Sequence, residues 1–391
     1  MHLSQRVQSI KPSATITVTK KAIELREAGV DVVSLSAGEP DFATPEHIQD
    51  AARAAMAAGQ TKYTAVDGTS ELKAAIIGKL QRDSGLDYQP GQILVTSGAK
   101  QAIFNACLAL LEEGNEAVIP APYWVSYPDM VGLADATPVI ISGGVDQDFK
   151  ITPEQLAEAI TDQTRMFIFN SPSNPTGKAY NPGELAALGE VLRQHPGVVV
   201  VADDIYESIY WGEEPLVHLL EVCPDLYGRT LVINGVSKAY AMTGWRIGYA
   251  AGPEAAIAAM RKIQGQSTSN ACSISQAAAV AAISGDQSCV EDMTRVYRQR
   301  HDAFSQSLDA LPGVTCLPGN GAFYLMPDFI QVIRERGFHD DVDLAADILE
   351  KANVALVPGS AFGAPGHLRV SYATSGENLE KALERLREYL S

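Results

Sequence analysis

Lys238 and Arg246 are the residues from which the chemistry of this chain can first be read. Thr230 to Ile233 form a short β-branched, apolar run of the kind that makes a buried strand. Asn234-Gly235 breaks that run, so Ser237 and Lys238 fall just past a strand end. Ligands in α/β folds bind at such ends. Arg246 comes eight residues later, ahead of a second strand-like run from Ile247 to Ala251. A partly buried lysine beside another cation keeps a nucleophilic amine that can condense with an aldehyde. An arginine can grip a phosphate through two nitrogens. The pair suits a cofactor carrying both groups, as pyridoxal phosphate does. Most lysines are solvated, though, and most strand-end arginines are ion-pair partners, so the pair alone does not decide the matter.

Other stretches could serve the same chemistry. Val198 to Val201 is an uninterrupted β-branched run that ends at Asp203, Asp204 and Tyr206. A carboxylate there either caps a helix or faces a functional group, and a buried Asp opposite a pyridine nitrogen would keep that nitrogen protonated. Ile93 to Thr96 reads as a strand that turns through Ser97-Gly98-Ala99-Lys100 into a helix with apolar positions at Ile103, Phe104, Cys107, Leu108 and Leu111. Small residues at such a helix start leave backbone N–H groups free for a phosphate. Pro120 to Pro128 holds Trp124 among prolines, where an aromatic face is available for stacking. Asn170 to Gly177 is a loop stiffened by two prolines, either a plain turn or a positioning device. Arg369, between Leu368 and Val370 in a strand-like run, is either a buried ion-pair member or a carboxylate receptor.

The run Ser237-Lys238 through Met242-Thr243-Gly244-Trp245-Arg246 to Gly248-Tyr249 resembles the cofactor-lysine signature of the fold-type I, pyridoxal-phosphate-dependent aminotransferases of class I/II, in the branch of the bacterial-type aspartate aminotransferases. The likeness extends along nearly the whole chain: Ala37-Gly38-Glu39-Pro40-Asp41-Phe42, Tyr63 with Gly68 and Glu71-Leu72, Asn174-Pro175-Thr176-Gly177, Asp203 with Tyr206, and Leu368 to Ala373 all match. The resemblance implies that Lys238 holds pyridoxal 5′-phosphate and, once freed, transfers the substrate proton. It gives Asp203 to the ring nitrogen and Asn174 and Tyr206 to the phenolic oxygen. Trp124 becomes the ring-stacking residue, while Gly98, Ala99, Lys100, Ser237 and Arg246 surround the phosphate. Tyr63 would reach the phosphate of a neighbouring subunit, so the implied assembly is a homodimer with shared active sites. Arg369 and Gly38, with Trp124 and Asn174, would receive the substrate. No arginine lies between Lys262 and Arg295 for a side-chain carboxylate; for a dicarboxylate substrate, the resemblance to the bacterial-type branch implies Lys100 in that role, with Ser13 and Thr15 as hydrogen-bond donors. The implied reaction moves an amino group from L-aspartate to 2-oxoglutarate in ping-pong fashion. A prephenate aminotransferase, or a lyase on the same fold, would share these residues.

The elements that must carry this set are those of an α/β fold. Strand-like runs alternate with helical ones, which predicts an aspartate-aminotransferase-like large domain with a mostly parallel sheet over residues 46–290. A smaller α/β domain would be made from residues 1–45 and 291–391. Thr44-Pro45-Glu46 reads as a capped helix start, and Gln264 to Ala282 as one helix. Short strands are expected at Val314–Cys316, Gly321–Leu325, Val354–Val357 and Leu368–Tyr372. A chain of 391 residues can bury large cores. Its formal charge of −17 argues against phosphate backbones and anionic lipid as partners. Five scattered cysteines without a CxxC pair, no leader-like apolar start and no run near ~18 apolar residues fit a reduced, cytoplasmic protein with no membrane partner. The seven histidines show no ligand spacing, so no metal site is expected.

Overall fold

The computed structural model describes residues 1–10 and 14–391. Its centre is a seven-stranded sheet. The strands, in chain order, are β1 (Ile93–Thr96), β2 (Glu116–Ala121), β3 (Thr137–Ser142), β4 (Thr164–Asn170), β5 (Val199–Asp203), β6 (Thr230–Gly235) and β7 (Gly248–Ala251). Their spatial order is β1-β7-β6-β5-β4-β2-β3. Only β7 runs against its neighbours, which makes the sheet mixed but mostly parallel, as the sequence predicts.

Both faces of the sheet are covered, which explains why its central strands read as continuous apolar runs. Along β5, Val200 and Ala202 join one core with Phe167, Phe169 and the helices Glu46–Ala57, Ser70–Ser84 and Pro182–Gln194. Val201, between them, points to the opposite core with Ile168, Ile233 and the helices Ala99–Leu110 and Glu254–Ser267. Each fully buried aliphatic or aromatic side chain contributes roughly 1.5–3 kcal/mol. A third core gathers Tyr297, Phe323, Tyr324, Leu344 and Leu386 around a three-stranded antiparallel sheet of Tyr324–Leu325, Leu368–Ser371 and Val357–Pro358.

The register of the large sheet lines up the functional edge. Thr96 lies opposite Gly248, Gly248 opposite Gly235, Asp203 opposite Ile233 and Asn170 opposite Asp203. A one-residue slip in any of these strands would turn the corresponding side chain to the other face. Near the start of the chain, Val33–Ser34 pairs in parallel with Val354–Ala355. Leu35 N–H donates to Ala355 O at 2.9 Å, and Ser371 N–H donates to Leu35 O at 2.8 Å. The segment after Leu35 is thereby fixed beside the strand that carries Arg369.

Several local expectations differ from the structure. Val314–Cys316 makes an isolated bridge at Thr315 rather than a strand. Only Tyr324–Leu325 of the 321–325 run is extended, and Val354–Val357 splits between two sheets. Gln264 to Ala282 is two helices, Glu254–Ser267 and Ser273–Ser284. Gln264 is buried at the first break, where its amide donates to Val66 O and Val95 O at 2.8 Å. Helix Glu46–Ala57 begins without a side-chain cap. The Thr44 hydroxyl instead donates to Ala241 O at 2.7 Å and accepts from Trp245 Nε1 at 3.0 Å, tying this helix start to the Lys238 segment. All five cysteines are unpaired. Among the described residues, no helix is long and apolar enough to cross a membrane. His339, Asp340 and Asp343 cluster at the surface, where Asp340 is already occupied as the cap of helix Asp341–Ala352.

Replacing Thr44 with Val should leave Trp245 Nε1 and Ala241 O short of a partner and lower stability by about 1–3 kcal/mol, read as a lower urea midpoint. An unchanged midpoint would show that this tie contributes nothing.

Candidate active site

The ends of β1, β4, β5 and β6, with the turn entering β7, open onto a cleft of about 670 Å³. Lys238, Asp203, Tyr206, Asn174, Arg369, Trp124, Ser237, Arg246, Ala99, Lys100, Gly38 and Thr15 all line it. Gly98, which precedes Ala99, is not among the lining residues. Ser13 lies outside the described residues. Tyr63 is 92% exposed and does not line the cleft of its own chain.

Lys238 sits just past β6, where the chain turns back sharply: Met242 N–H donates to Ser237 O at 3.1 Å, and a 3₁₀ turn, Thr243–Trp245, follows. Its ammonium donates to Gly38 O and lies 5.8 Å from the ring centroids of both Tyr206 and Phe323. Burial, reinforced by the nearby Arg369 charge, lowers the Lys238 amine to about 8. The neutral amine is therefore more populated near neutral pH than in an ordinary lysine.

Asp203, the last residue of β5, is 4% exposed. Tyr127 donates its hydroxyl to Asp203 Oδ2 at 2.6 Å, and Ile205 N–H reaches Oδ1 at 3.3 Å. Burial outweighs these bonds and raises the carboxyl to about 6. A cationic N–H facing it from the cleft would draw it back down. Asn170 holds the neighbouring backbone by donating to Asp203 O at 2.6 Å, and its own oxygen accepts from Asn174 N–H at 2.8 Å. The proline-stiffened loop is thus keyed to the end of β5.

Arg369 is 2% exposed. Its guanidinium donates to Asn174 Oδ1 at 3.1 Å and Ser36 O at 2.6 Å and packs on Tyr324 and Phe362, with centroids at 4.6 and 4.9 Å. Its Nε has no partner, and no carboxylate within ion-pair distance is found for it among the described residues. The ion-pair alternative open in the sequence thus finds no partner among the described residues.

One corner of the cleft lies at the start of helix Ala99–Leu110. Gly98 adopts φ +85°, and a Cβ there would fall 2.2 Å from Arg246 Nη2, so glycine lets the guanidinium close over the helix N-terminus. Arg246, itself at φ +56°, donates to Thr243 O at 2.9 Å and Ser97 O at 3.3 Å. Lys100 Nζ stands 4.7 Å over the Trp124 ring, and burial followed by the Arg246 charge lowers its amine.

Sequence reasoning missed three contributors. Tyr127 supports Asp203. Tyr324 bonds the Tyr206 hydroxyl at 2.9 Å and would lie 3.1 Å from a Cβ on Gly38. Arg300 forks onto Asp41 at 2.8 and 2.9 Å and fixes the loop that bears Gly38. The only sequence signal for Tyr127 and Tyr324 is their place beside Trp124 and Phe323 in aromatic runs.

Because an amine beside a second cation disfavours its proton, substituting Leu for Arg369 should move the Lys238 value upward from about 8 toward the ordinary 10.5. Competitive acylation of Lys238 across pH, followed by mass spectrometry, measures this. A value that stays put or falls would remove Arg369 as a cause.

The sequence model of the family described as Aminotransferase class I and II matches residues 30–386. An aspartate/prephenate aminotransferase of Nitrosomonas europaea is 52% identical over 397 residues, covering 100% of both chains. An aspartate aminotransferase of Geobacillus stearothermophilus is 51% identical, covering 100% of this chain and 99% of that one. Among solved structures, the aspartate aminotransferase from Thermus thermophilus with maleate superposes with a TM-score of 0.94 at 44% identity, covering 100% of each chain. The chain belongs to the class I and II aminotransferase family.

Proposed function

We propose that this chain holds pyridoxal 5′-phosphate on Lys238 and moves the amino group of L-aspartate to 2-oxoglutarate. The observation that carries the reading is Arg369, a buried guanidinium with no carboxylate partner among the described residues, opening into the same cleft as a half-buried lysine whose proton affinity is lowered. The residues present fit the cofactor. An aldehyde finds Lys238, a phosphate finds the Gly98–Lys100 helix start under Arg246, and a protonated ring nitrogen finds Asp203. Pyridoxal phosphate, when bound, supplies a carbonyl that condenses with amines and an electron-withdrawing ring.

The chain's own residues do the rest. Arg369 binds the α-carboxylate of the amino acid, trading its unpartnered Nε for a charged acceptor. Lys238, when released, takes the proton from the substrate Cα; its lowered proton affinity suits it to do so near neutral pH. Asp203, held by Tyr127, stays anionic against a cation in the ring position. Tyr206, steered by Tyr324, and Asn174 donate along the cleft wall. Trp124 covers one face, and Lys100 above it receives the second carboxylate of a dicarboxylate substrate. The two substrates use one site in turn, so the kinetics are ping-pong.

Maleate, bound in the Thermus thermophilus relative, is a four-carbon dicarboxylate, which supports a dicarboxylate substrate here. The name of the Nitrosomonas europaea relative brings prephenate in as a second acceptor. We further propose a homodimer, since Tyr63 stands exposed and idle in its own chain, as a residue that completes a partner's site would.

Addition of pyridoxal phosphate should produce a visible absorption band that aspartate bleaches and 2-oxoglutarate restores, and Lys238→Ala should not cycle. No band would sink the cofactor assignment. Ammonia and oxo acid formed without a second oxo acid would point to the lyase alternative. Substituting Ala for Lys100 should lower kcat/KM for aspartate by about 10–100-fold, the loss of one charged hydrogen bond, and leave alanine within about a factor of three. An equal loss for both would contradict the side-chain role of Lys100.

A further inference from the structure

Behind Asp203 and Tyr206 lies a second set of charges that the proposed reaction does not use. The chain leaves β5 at Asp203 and turns at once, with Glu207 N–H donating to Asp204 O at 2.9 Å. Within this turn Asp203, Ile205 and Tyr206 line the cleft. Asp204 and Glu207 face the other way, where His218 bridges them. His218 Nδ1 lies 3.0 Å from Asp204 Oδ2, and Nε2 lies 3.1 Å from Glu207 Oε2. The second oxygen of Glu207 meets the Lys79 ammonium, which also pairs with Asp83 at 2.9 Å. The His218, Asp204 and Glu207 side chains are only 12%, 7% and 9% exposed.

A neutral imidazole has one N–H and one bare lone pair. With an ionised carboxylate at each ring nitrogen, both nitrogens carry a proton when both contacts are attractive, whereas a neutral ring would need the proton on one of the two carboxyls. Burial raises the Asp204 carboxyl even with His218 beside it, but the balance of charges around the ring favours the imidazolium. Burial opposes a charge on His218, but Asp204 and Glu207 outweigh it and raise the ring well above its ordinary value. Burial likewise pushes Glu207 up, yet Lys79 and His218 pull it below the usual carboxylate range. Helix Ser70–Ser84 faces the cluster with Lys79, Asp83 and Arg82, the last paired to Asp83 at 2.6 Å. Glu221 accepts from the His218 backbone N–H at 2.9 Å. The hydroxyls of Tyr240 and Tyr249 lie within electrostatic reach of Lys79 and Glu207, and that of Tyr88 within reach of Asp204.

We propose that His218, as an imidazolium clamped between Asp204 and Glu207, is a positioning residue that fixes the turn presenting Asp203 and Tyr206 to the cleft. The inference goes beyond the proposed reaction and rests on it only for the roles of Asp203 and Tyr206. Its loss acts in two ways. The turn loses its brace, and Asp204, next to Asp203, loses its cationic partner while Glu207 keeps Lys79, so the uncompensated Asp204 charge raises the proton affinity of Asp203.

The test has an arm that needs no activity. With ¹⁵N-labelled histidine, the full-length chain should show one imidazole that stays doubly protonated from about pH 6 to about pH 8, and this signal should vanish in His218→Asn. A neutral His218 ring near pH 7 overturns the proposal whether or not the cofactor assignment holds. In the enzyme loaded with pyridoxal phosphate, His218→Gln should lower kcat about tenfold or more with KM for aspartate within about twofold, and move the acid limb of the pH profile upward by about one unit. Unchanged kcat and pH profile would also overturn it. Should the substituted chains fail to fold, the ring protonation of the unsubstituted chain decides.

Discussion

A guanidinium kept in a protein interior without a carboxylate is the constraint on which the rest of this structure turns. Removing such a charge from water costs several kcal/mol, and Arg369 recovers only part of it from two oxygens and two aromatic faces. The deficit is an affinity waiting for an anion. The same charge acts on Lys238, whose proton becomes easier to lose because Arg369 shares its low-dielectric cleft. In the proposed reaction, one buried cation would thus serve both halves of the chemistry, the grip on a carboxylate and the base beside it.

Holding Arg369 there takes three separate parts of the chain. Its strand pairs with Tyr324–Leu325, its guanidinium is met by Asn174 from the loop after β4, and Ser36 comes from the segment pinned by Ala355 and Ser371. Each partner is a backbone oxygen or an amide, so the charge is positioned without being neutralised. Asp203 is treated in the opposite way. A tyrosine hydroxyl bonds it, yet burial still raises it, leaving a carboxylate that gains most by meeting a cation in the cleft. The sheet register that lines up Thr96, Gly248, Asp203 and Asn170 brings these opposed environments to one edge.

Much of this was legible in the sequence for a physical reason. Strands buried on both faces must be apolar throughout, so β1, β4, β5 and β6 stand out as short β-branched or aromatic runs, and the polar residues that end β4 and β5, Asn170 and Asp203, line the cleft. Lys238, Asp203, Asn174 and Gly98 were found in this way, with the family resemblance adding their roles. What stayed hidden depends on contacts between distant segments. The Tyr127–Asp203 bond joins residues 76 apart, and Tyr206–Tyr324 joins residues 118 apart. Neither leaves a periodic trace. Thr44 reads as a helix cap by local rule, but a carbonyl from the Lys238 segment competes for its hydroxyl and wins. The two-residue strands near the C-terminal end have their extent set by their neighbours rather than by their own residues, which is why Val354–Val357 divides between two sheets. His218 carries no spacing signal because its two carboxylate partners lie in the turn after β5.

The central claim, that Lys238 moves the substrate Cα proton in the cleft prepared by Arg369, is tested most directly by isotope exchange. Aspartate carrying deuterium at Cα is incubated with the protein and pyridoxal phosphate, with no 2-oxo acid present, and loss of the label is followed by NMR. The account predicts washout of the deuterium by the unsubstituted chain and essentially none by Lys238→Ala. Washout at an equal rate by that variant would contradict it and place the base elsewhere in the cleft.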